Sequence, residues 1–147
     1  KNTYSFKDKS VLDVGCFHGY FPFEYEKEGA SFVVGIDKNK DAVKNGLWIK
    51  HFLKSKVLLL HRKAENFNLN FRFDVVTVLN AYHHFENKEQ ALKSISEHGN
   101  TIIFEIRPED YDAVRSFFNK WKLIDTKKSY RGRLFVIFGR ENNAGIS

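Results

Sequence analysis

The segment Val11-Leu12-Asp13-Val14-Gly15-Cys16-Phe17-His18-Gly19-Tyr20-Phe21 passes from an apolar run through two glycines into a helix-like start. Glycine admits positive φ and lets backbone N–H groups come close to a ligand, so a turn of this kind can cradle a small polar molecule. Asp37 closes the next apolar run, 22 residues after Gly15. A carboxylate at that place can accept hydrogen bonds from a ribose diol. Together the two features describe a nucleoside site, whereas Gly15 and Gly19 alone describe no more than a strand-to-helix turn. Farther along, Asn80, His83 and His84 follow the apolar run Phe73 to Leu79. A histidine there can act as a general base near neutral pH. Adjacent histidines are expected to point in different directions, one of them packing or capping a helix. A metal on this pair would need further ligands that the sequence does not place, and no Cys/His spacing of the zinc-binding kind occurs, so no metal site is expected. Cys16 lies inside the glycine turn and reads as a packing thiol.

These groups need a scaffold, and the rest of the sequence supplies one. Short apolar runs at Ser10 to Val14, Phe32 to Ile36, Val57 to His61, Phe73 to Leu79 and Thr101 to Ile106 alternate with helix-like segments. The helices are Tyr20 to Glu28, Asn39 to Leu53, Lys88 to His98 and Glu109 to Lys120. That alternation predicts a parallel sheet with helices on both faces. Asn87 and Pro108 are helix-start signals, and Gly29 and Gly99 read as helix-ending glycines. Trp48, Ile49, Phe52 and Leu53 recur at helical spacing and are expected to be core. Lys122 to Lys128 and Arg133 to Phe138 are separated by only four residues, which permits only an antiparallel hairpin. The predicted fold is therefore α/β: a three-layer sandwich around a doubly wound, seven-stranded, mostly parallel sheet, with an antiparallel strand in the C-terminal hairpin. Residues 1–141 read as one domain and 142–147 as a flexible tail.

With 147 residues, 42% hydrophobic and 29% charged, the chain can bury one sizeable core. A single cysteine excludes an internal disulfide framework, and the longest apolar runs are far too short to span a bilayer. A soluble, cytoplasmic protein without a membrane partner is expected. Methionine is absent even from the first position, as in a trimmed product or a piece of a longer chain. The formal charge is +6, and the segment Arg115 to Arg140 carries eight Lys or Arg against Asp125 alone. Such a patch can steer an anionic partner, although a solvated helix and hairpin that stay soluble by carrying Lys are the favoured account.

The residues from Asp13 to Phe21 resemble the first motif of the class I S-adenosylmethionine-dependent methyltransferases, close to Asp/Glu-x-Gly-x-Gly-x-Gly. Asp13, Gly15 and Gly19 match it, and Phe17 stands at the middle glycine. The loop Gly-Cys-x-x-Gly-Tyr-Phe is similar to that of the tRNA wobble-uridine modifying branch and of polysaccharide chain-terminating methyltransferases. Gly35-Ile36-Asp37 resembles the second motif, and the terminal hairpin is also that of this family and unlike a nicotinamide-binding sheet. The resemblance covers about residues 9 to 140. It implies S-adenosyl-L-methionine as cofactor and S-adenosyl-L-homocysteine as product. Asp13, Gly15, Cys16, Phe17, His18 and Gly19 would hold the methionine part, Asp37 the ribose, Ala64 and Glu65 the adenine edge, and Asn80 a further contact, with Lys63 standing where many relatives have Asp.

The sulfonium is already an activated methyl donor, so alignment of the acceptor and exclusion of water can supply most of the acceleration. His83 or His84 is the candidate base, and Tyr4 and Phe6 are candidate covers for the cofactor. No Asn/Asp-Pro-Pro-aromatic segment follows the fourth strand, and Asn80 replaces the Asp of the ribose 2′-hydroxyl methyltransferases. The expected acceptor is therefore a small molecule or saccharide presenting oxygen or nitrogen, in preference to RNA. A larger parent chain or partner subunit would supply more of the acceptor site. The alternatives are an RNA methyltransferase and a non-catalytic cofactor-binding subunit.

Overall fold

The computed structural model describes residues 4–129 and 131–141; the expected tail at 142–147 lies outside them. Seven strands form one sheet: β1 (Ser10–Val14), β2 (Phe32–Asp37), β3 (Leu58–His61), β4 (Phe73–Leu79), β5 (Gly99–Ile106), β6 (Lys122–Lys128) and β7 (Leu134–Gly139). Their spatial order is β3-β2-β1-β4-β5-β7-β6. All pairings among β1 to β5 are parallel, and β7 pairs antiparallel with both β5 and β6. The doubly wound sheet and its hairpin are as the apolar pattern predicts. Helices α1 (Tyr20–Lys27), α2 (Lys40–Leu53), α3 (Lys88–His98) and α4 (Tyr111–Phe117) complete the layers.

Sequence accounts for the layering. Every residue of β1 is buried, because a central parallel strand is covered on both faces and reads as mostly apolar; Ser10 and Asp13 are the polar residues it admits. On one sheet face Ala91, Leu92 and Ile95 of α3 and Val114 of α4 pack on Val76, Val78, Ile102 and Phe104. On the other, Phe23 and Tyr25 of α1 and Val43 of α2 pack on Val11, Val33, Leu59 and Val75. Asn39 and Asn87 cap α2 and α3, their side chains accepting from Ala42 N–H and Gln90 N–H. Gly29 ends α1 at φ +93, where its N–H reaches Glu26 O.

Four sequence expectations are corrected. Gly99 closes α3 as expected but not in the left-handed conformation of a capping glycine: at φ −144 it is already the first residue of β5. A Cβ there would lie 2.6 Å from Val76 Cγ2, so close packing of β5 on β4 explains the glycine. The fourth helix does not fill Glu109 to Lys120, because Pro108–Asp110 form a separate 3₁₀ turn and α4 stops at Phe117. Phe118 turns inward to stack on Phe138, and Arg115 Nη1 donates to its carbonyl. Tyr4 and Phe6 do not cover a ligand: Phe6 is buried against Tyr25, with Tyr4 beside it. The Trp48, Ile49, Phe52 and Leu53 stripe is exposed, because α2 seats only Ala42, Val43 and Gly46 on the sheet.

Candidate functional site

The carboxyl ends of β1, β2 and β4 open into a crevice of about 650 Å³, within the range of small-molecule sites. Its walls include Gly15, Cys16, Phe17, His18, Asp37, Ala64, Glu65, Asn80 and His84. Asp13, Gly19 and His83, the remaining sequence candidates, are not among the lining residues. The crevice also takes in Tyr20, Phe21, Lys38, Arg62 and Phe85. Lys38 and Arg62 each directly follow a strand's last residue, so the rule that ligands bind at carboxyl ends of parallel strands was the signal for them.

Backbone geometry builds the floor. The N–H groups of Gly15 and Cys16 both donate to Ile36 O at 2.9 Å, and Gly19 N–H donates to Cys16 O. Gly15 sits at φ +80, Phe17 at +51 and Gly19 at +93. Phe17 thus holds the left-handed conformation that explains a glycine at this place in the resembled motif. Its ring stacks on His18, with centroids 4.0 Å apart. A Cβ on Gly15 would come within 2.7 Å of Ala81 Cβ, so the loop approaches the opposite wall as closely as glycine permits. A Cβ on Gly46 would lie 2.7 Å from His18 O, which lets α2 press against the same loop.

Asp37 is the electrostatic centre of this floor. One carboxylate oxygen accepts Phe17 N–H and the other Asn39 N–H, both at 2.8 Å. Each oxygen keeps a lone pair for a diol. Glu65 is less free than its sequence position implies: Oε1 accepts from Glu86 and Asn87 N–H, tying the loop after β3 to the start of α3. Lys38 Nζ spans to His84 O at 3.2 Å, a strap from β2 to the turn after β4.

His83 and His84 share the 3₁₀ turn Tyr82–His84, and their rings lie 3.9 Å apart. The expectation that they point apart is corrected, because the tight turn brings the rings together, tilted by 44°. Burial lowers the His83 pKa, and His84, Arg107 and Arg133 lower it further against Asp110. Its imidazole is therefore neutral at neutral pH and able to accept a proton. Burial and the carboxylates of Asp13 and Asp37 push the Cys16 thiol up, so it is no nucleophile.

Asp13 lies beneath the loop at 1% exposure. Oδ1 accepts from the Thr77 hydroxyl at 2.7 Å, and Oδ2 is buried with no hydrogen-bond partner. Burial pushes its carboxyl up to about 7 against the lowering Thr77 bond, with Asp37 adding to the rise. The native state then holds this proton more tightly than the unfolded chain. Stability from this group is fully present below about pH 4, the ordinary carboxylate range, and is lost as pH rises to about 7. Asp13→Asn keeps an acceptor for Thr77 and cannot ionise. It is expected to exceed the parent in thermal stability at pH 8, with the difference vanishing by about pH 4. Melting curves across this range check the sign, and an asparagine variant less stable at pH 8 than at pH 4 relative to the parent would refute it.

The family model described as a methyltransferase domain matches residues 2–134, and the chain belongs to that family. Among curated relatives, the tRNA U34 carboxymethyltransferase of Aliarcobacter butzleri (strain RM4018) is 27% identical over 94 residues, covering 63% of this chain and 31% of that protein. The enzyme of the same name from Helicobacter pylori (strain G27) is 32% identical over 104 residues, covering 65% and 38%. The chain thus spans roughly a third of the length of the curated relatives it matches. Among solved structures, magnesium protoporphyrin IX methyltransferase from Synechocystis PCC 6803, with bound S-adenosylmethionine, superposes with a TM-score of 0.80. It is 16% identical, covering 92% of this chain and 72% of that one. The N-methyltransferase NodS from Bradyrhizobium japonicum WM9, in complex with S-adenosylhomocysteine, gives 0.77 at 13% identity, covering 92% and 80%. The fold is that of these methyltransferases.

Proposed function

We propose that the chain is an S-adenosylmethionine-dependent methyltransferase domain that methylates an oxygen or nitrogen of a small or medium-sized acceptor. The observation that carries this reading is the Gly15 to Gly19 loop, held at positive φ over a crevice whose next strand ends in Asp37. The residues present fit the cofactor: a Gly15 cradle that a Cβ would fill, and a carboxylate with a lone pair free on each oxygen. When bound, the cofactor supplies an activated methyl on a sulfonium.

The chain's own part is to bind, align and exclude water. Gly15, Cys16 and Phe17 form the floor, and Asp37 accepts from the ribose hydroxyls. Tyr20 and Phe21 present exposed rings at the mouth, where an acceptor can be held against them. His84 lines the crevice and is the candidate to take a proton from an acceptor hydroxyl or ammonium, with the His83 ring packed beside it. No residue need do more, since the leaving group departs neutral. The test is calorimetry with S-adenosylhomocysteine and NAD, followed by incubation of the protein with methyl-labelled cofactor and fractionated cell extract. Binding of S-adenosylhomocysteine and label in a small-molecule or saccharide fraction are expected; tighter binding of NAD would sink the reading.

A second reading directs transfer, of a methyl or carboxymethyl group, to RNA. The relatives named above are tRNA carboxymethyltransferases, and one observation favours an anion at the reacting end. His83 lies in the field of Arg107 and Arg133, and Arg133 Nη1 is buried without a hydrogen-bond partner among the described residues. A carboxylate or phosphate there would meet two guanidinium charges, one of them with an unsatisfied donor. Reversing Lys127, Lys128 and Arg131 of the terminal hairpin to Glu separates the readings. Cofactor affinity should barely change in either case. If RNA is the acceptor, its binding weakens and the slope of log affinity against log salt falls by about one unit per lost phosphate contact. If the acceptor is small, RNA binding is weak from the start and methyl transfer to that acceptor is unaffected.

A further inference from the structure

Helix α2 leaves Leu47, Trp48, Ile49, Phe52 and Leu53 in solvent, with Trp48 61% and Phe52 79% exposed. Five large apolar side chains within seven consecutive positions form a contiguous patch of the kind that marks an interaction surface. Residues 42–57 contain no acid, and their four lysines, Lys44, Lys50, Lys54 and Lys56, flank the patch along the chain with exposed His51, while Glu26 accepts the backbone N–H of Lys56. Lys44, Lys54 and Lys56 are exposed as well. The helix starts at the crevice, where Asn39 lines the wall, and runs to the opposite edge of the sheet, where β3 begins. The apolar patch therefore lies away from the catalytic mouth.

We infer that the C-terminal half of α2 is a docking surface for an anionic lipid bilayer, with Trp48, Phe52 and their neighbours entering the interface and the lysines meeting lipid headgroups. Two features of the patch select this occupant. A second copy of the chain would set two lysine-rimmed patches against each other, and like charges oppose a symmetric contact. RNA would use aromatic faces and cations, but Leu47, Ile49 and Leu53 offer bases nothing to stack on. A protruding helix with aromatic and aliphatic side chains amid lysines is the arrangement that lies in a membrane interface, where each basic residue adds attraction to anionic lipid. No helix among the described residues is long and apolar enough to cross a membrane, so the contact is one of surface association. Docked this way, the protein keeps its crevice turned toward the aqueous phase.

The test uses vesicles of phosphatidylcholine with and without phosphatidylserine. The protein should co-sediment with the mixed vesicles and not with phosphatidylcholine alone, and high salt should release it. Trp48 emission, taken as the difference between the parent and Trp48→Phe, should shift to the blue on binding. A Trp48→Ser/Phe52→Ser variant and a Lys44→Glu/Lys54→Glu/Lys56→Glu variant should each weaken vesicle binding by about tenfold or more. Both should retain the parent's circular dichroism and affinity for S-adenosylhomocysteine, since none of these side chains lines the crevice. Absence of binding to anionic vesicles overturns the inference. So does Trp48 quenching by oligouridylate without a vesicle-induced shift, or a concentration-dependent dimer that the Trp48→Ser/Phe52→Ser variant abolishes.

Discussion

Asp37→Ala is expected to weaken S-adenosylhomocysteine binding by about 1.5 to 3 kcal/mol, as for lost hydrogen bonds to a charged group, which is tenfold to more than a hundredfold in affinity. The carboxylate serves two sets of partners. Toward a ligand it offers an acceptor at each oxygen; within the protein it holds Phe17 N–H and Asn39 N–H at 2.8 Å. Removing it frees the left-handed Phe17 from its tether and strips an acceptor from the residue that caps α2. The variant should fold with a melting temperature below the parent's. Asp37→Asn keeps one acceptor oxygen and should lie between the two in both measurements. Calorimetry and thermal melts check the series, and an alanine variant that binds as tightly as the parent would show that the ribose lies elsewhere.

Much of the sheet was legible because a doubly wound fold writes itself in alternation. β1 and β4 are covered on both faces and read as apolar runs, and Asn87 announced α3 by a capping bond that forms at the expected place. Segments failed where tertiary packing overrode local pattern. Gly99 looked like a cap because it follows a helix, yet its lack of a side chain answers to Val76 on the neighbouring strand. The α2 stripe looked like core because periodicity reports amphipathicity and cannot say which face meets the sheet. The small residues Ala42 and Gly46 determine that face by allowing close approach to the loop and to Leu59.

The site divides in the same way. Gly15, Asp37 and Asn80 were legible because their positions relative to strand ends are fixed by topology. Glu65 was legible as a position, but its engagement with Glu86 and Asn87 N–H was not, since that contact joins segments more than twenty residues apart. The same holds for the Lys38 strap to His84 and for the Thr77 hydroxyl on Asp13, 64 residues away. The resemblance placed Asp13 among the residues that hold the methionine part of the cofactor. Its burial beneath the crevice, with one carboxylate oxygen unpartnered, adds a pH dependence that no spacing in the sequence carries.

Gly15→Ala should lower cofactor binding by about a hundredfold, from two separable causes. The first is conformational: at φ +80 an alanine pays about 1 to 2 kcal/mol for a left-handed backbone. The second is steric, because the new Cβ would lie 2.7 Å from Ala81 Cβ and must drive the loop and the Asn80-Ala81 wall apart. Packed walls transmit such a displacement, and a ligand spanning both loses its fit to each. Gly132→Ala isolates the first cause, since Gly132 has φ +72 and an added Cβ would meet nothing within 4 Å among the described residues. Gly15→Ala/Ala81→Gly relieves the second while keeping the first. If the two causes are right, the double variant recovers binding relative to Gly15→Ala without reaching the parent, and the coupling between the two sites is favourable. Gly132→Ala should cost thermal stability alone and leave S-adenosylhomocysteine affinity at the parent value. Equal affinities for Gly15→Ala and the double variant would show that the wall is not where the loop presses, and parent-like binding by Gly15→Ala would remove the loop from the cofactor site altogether.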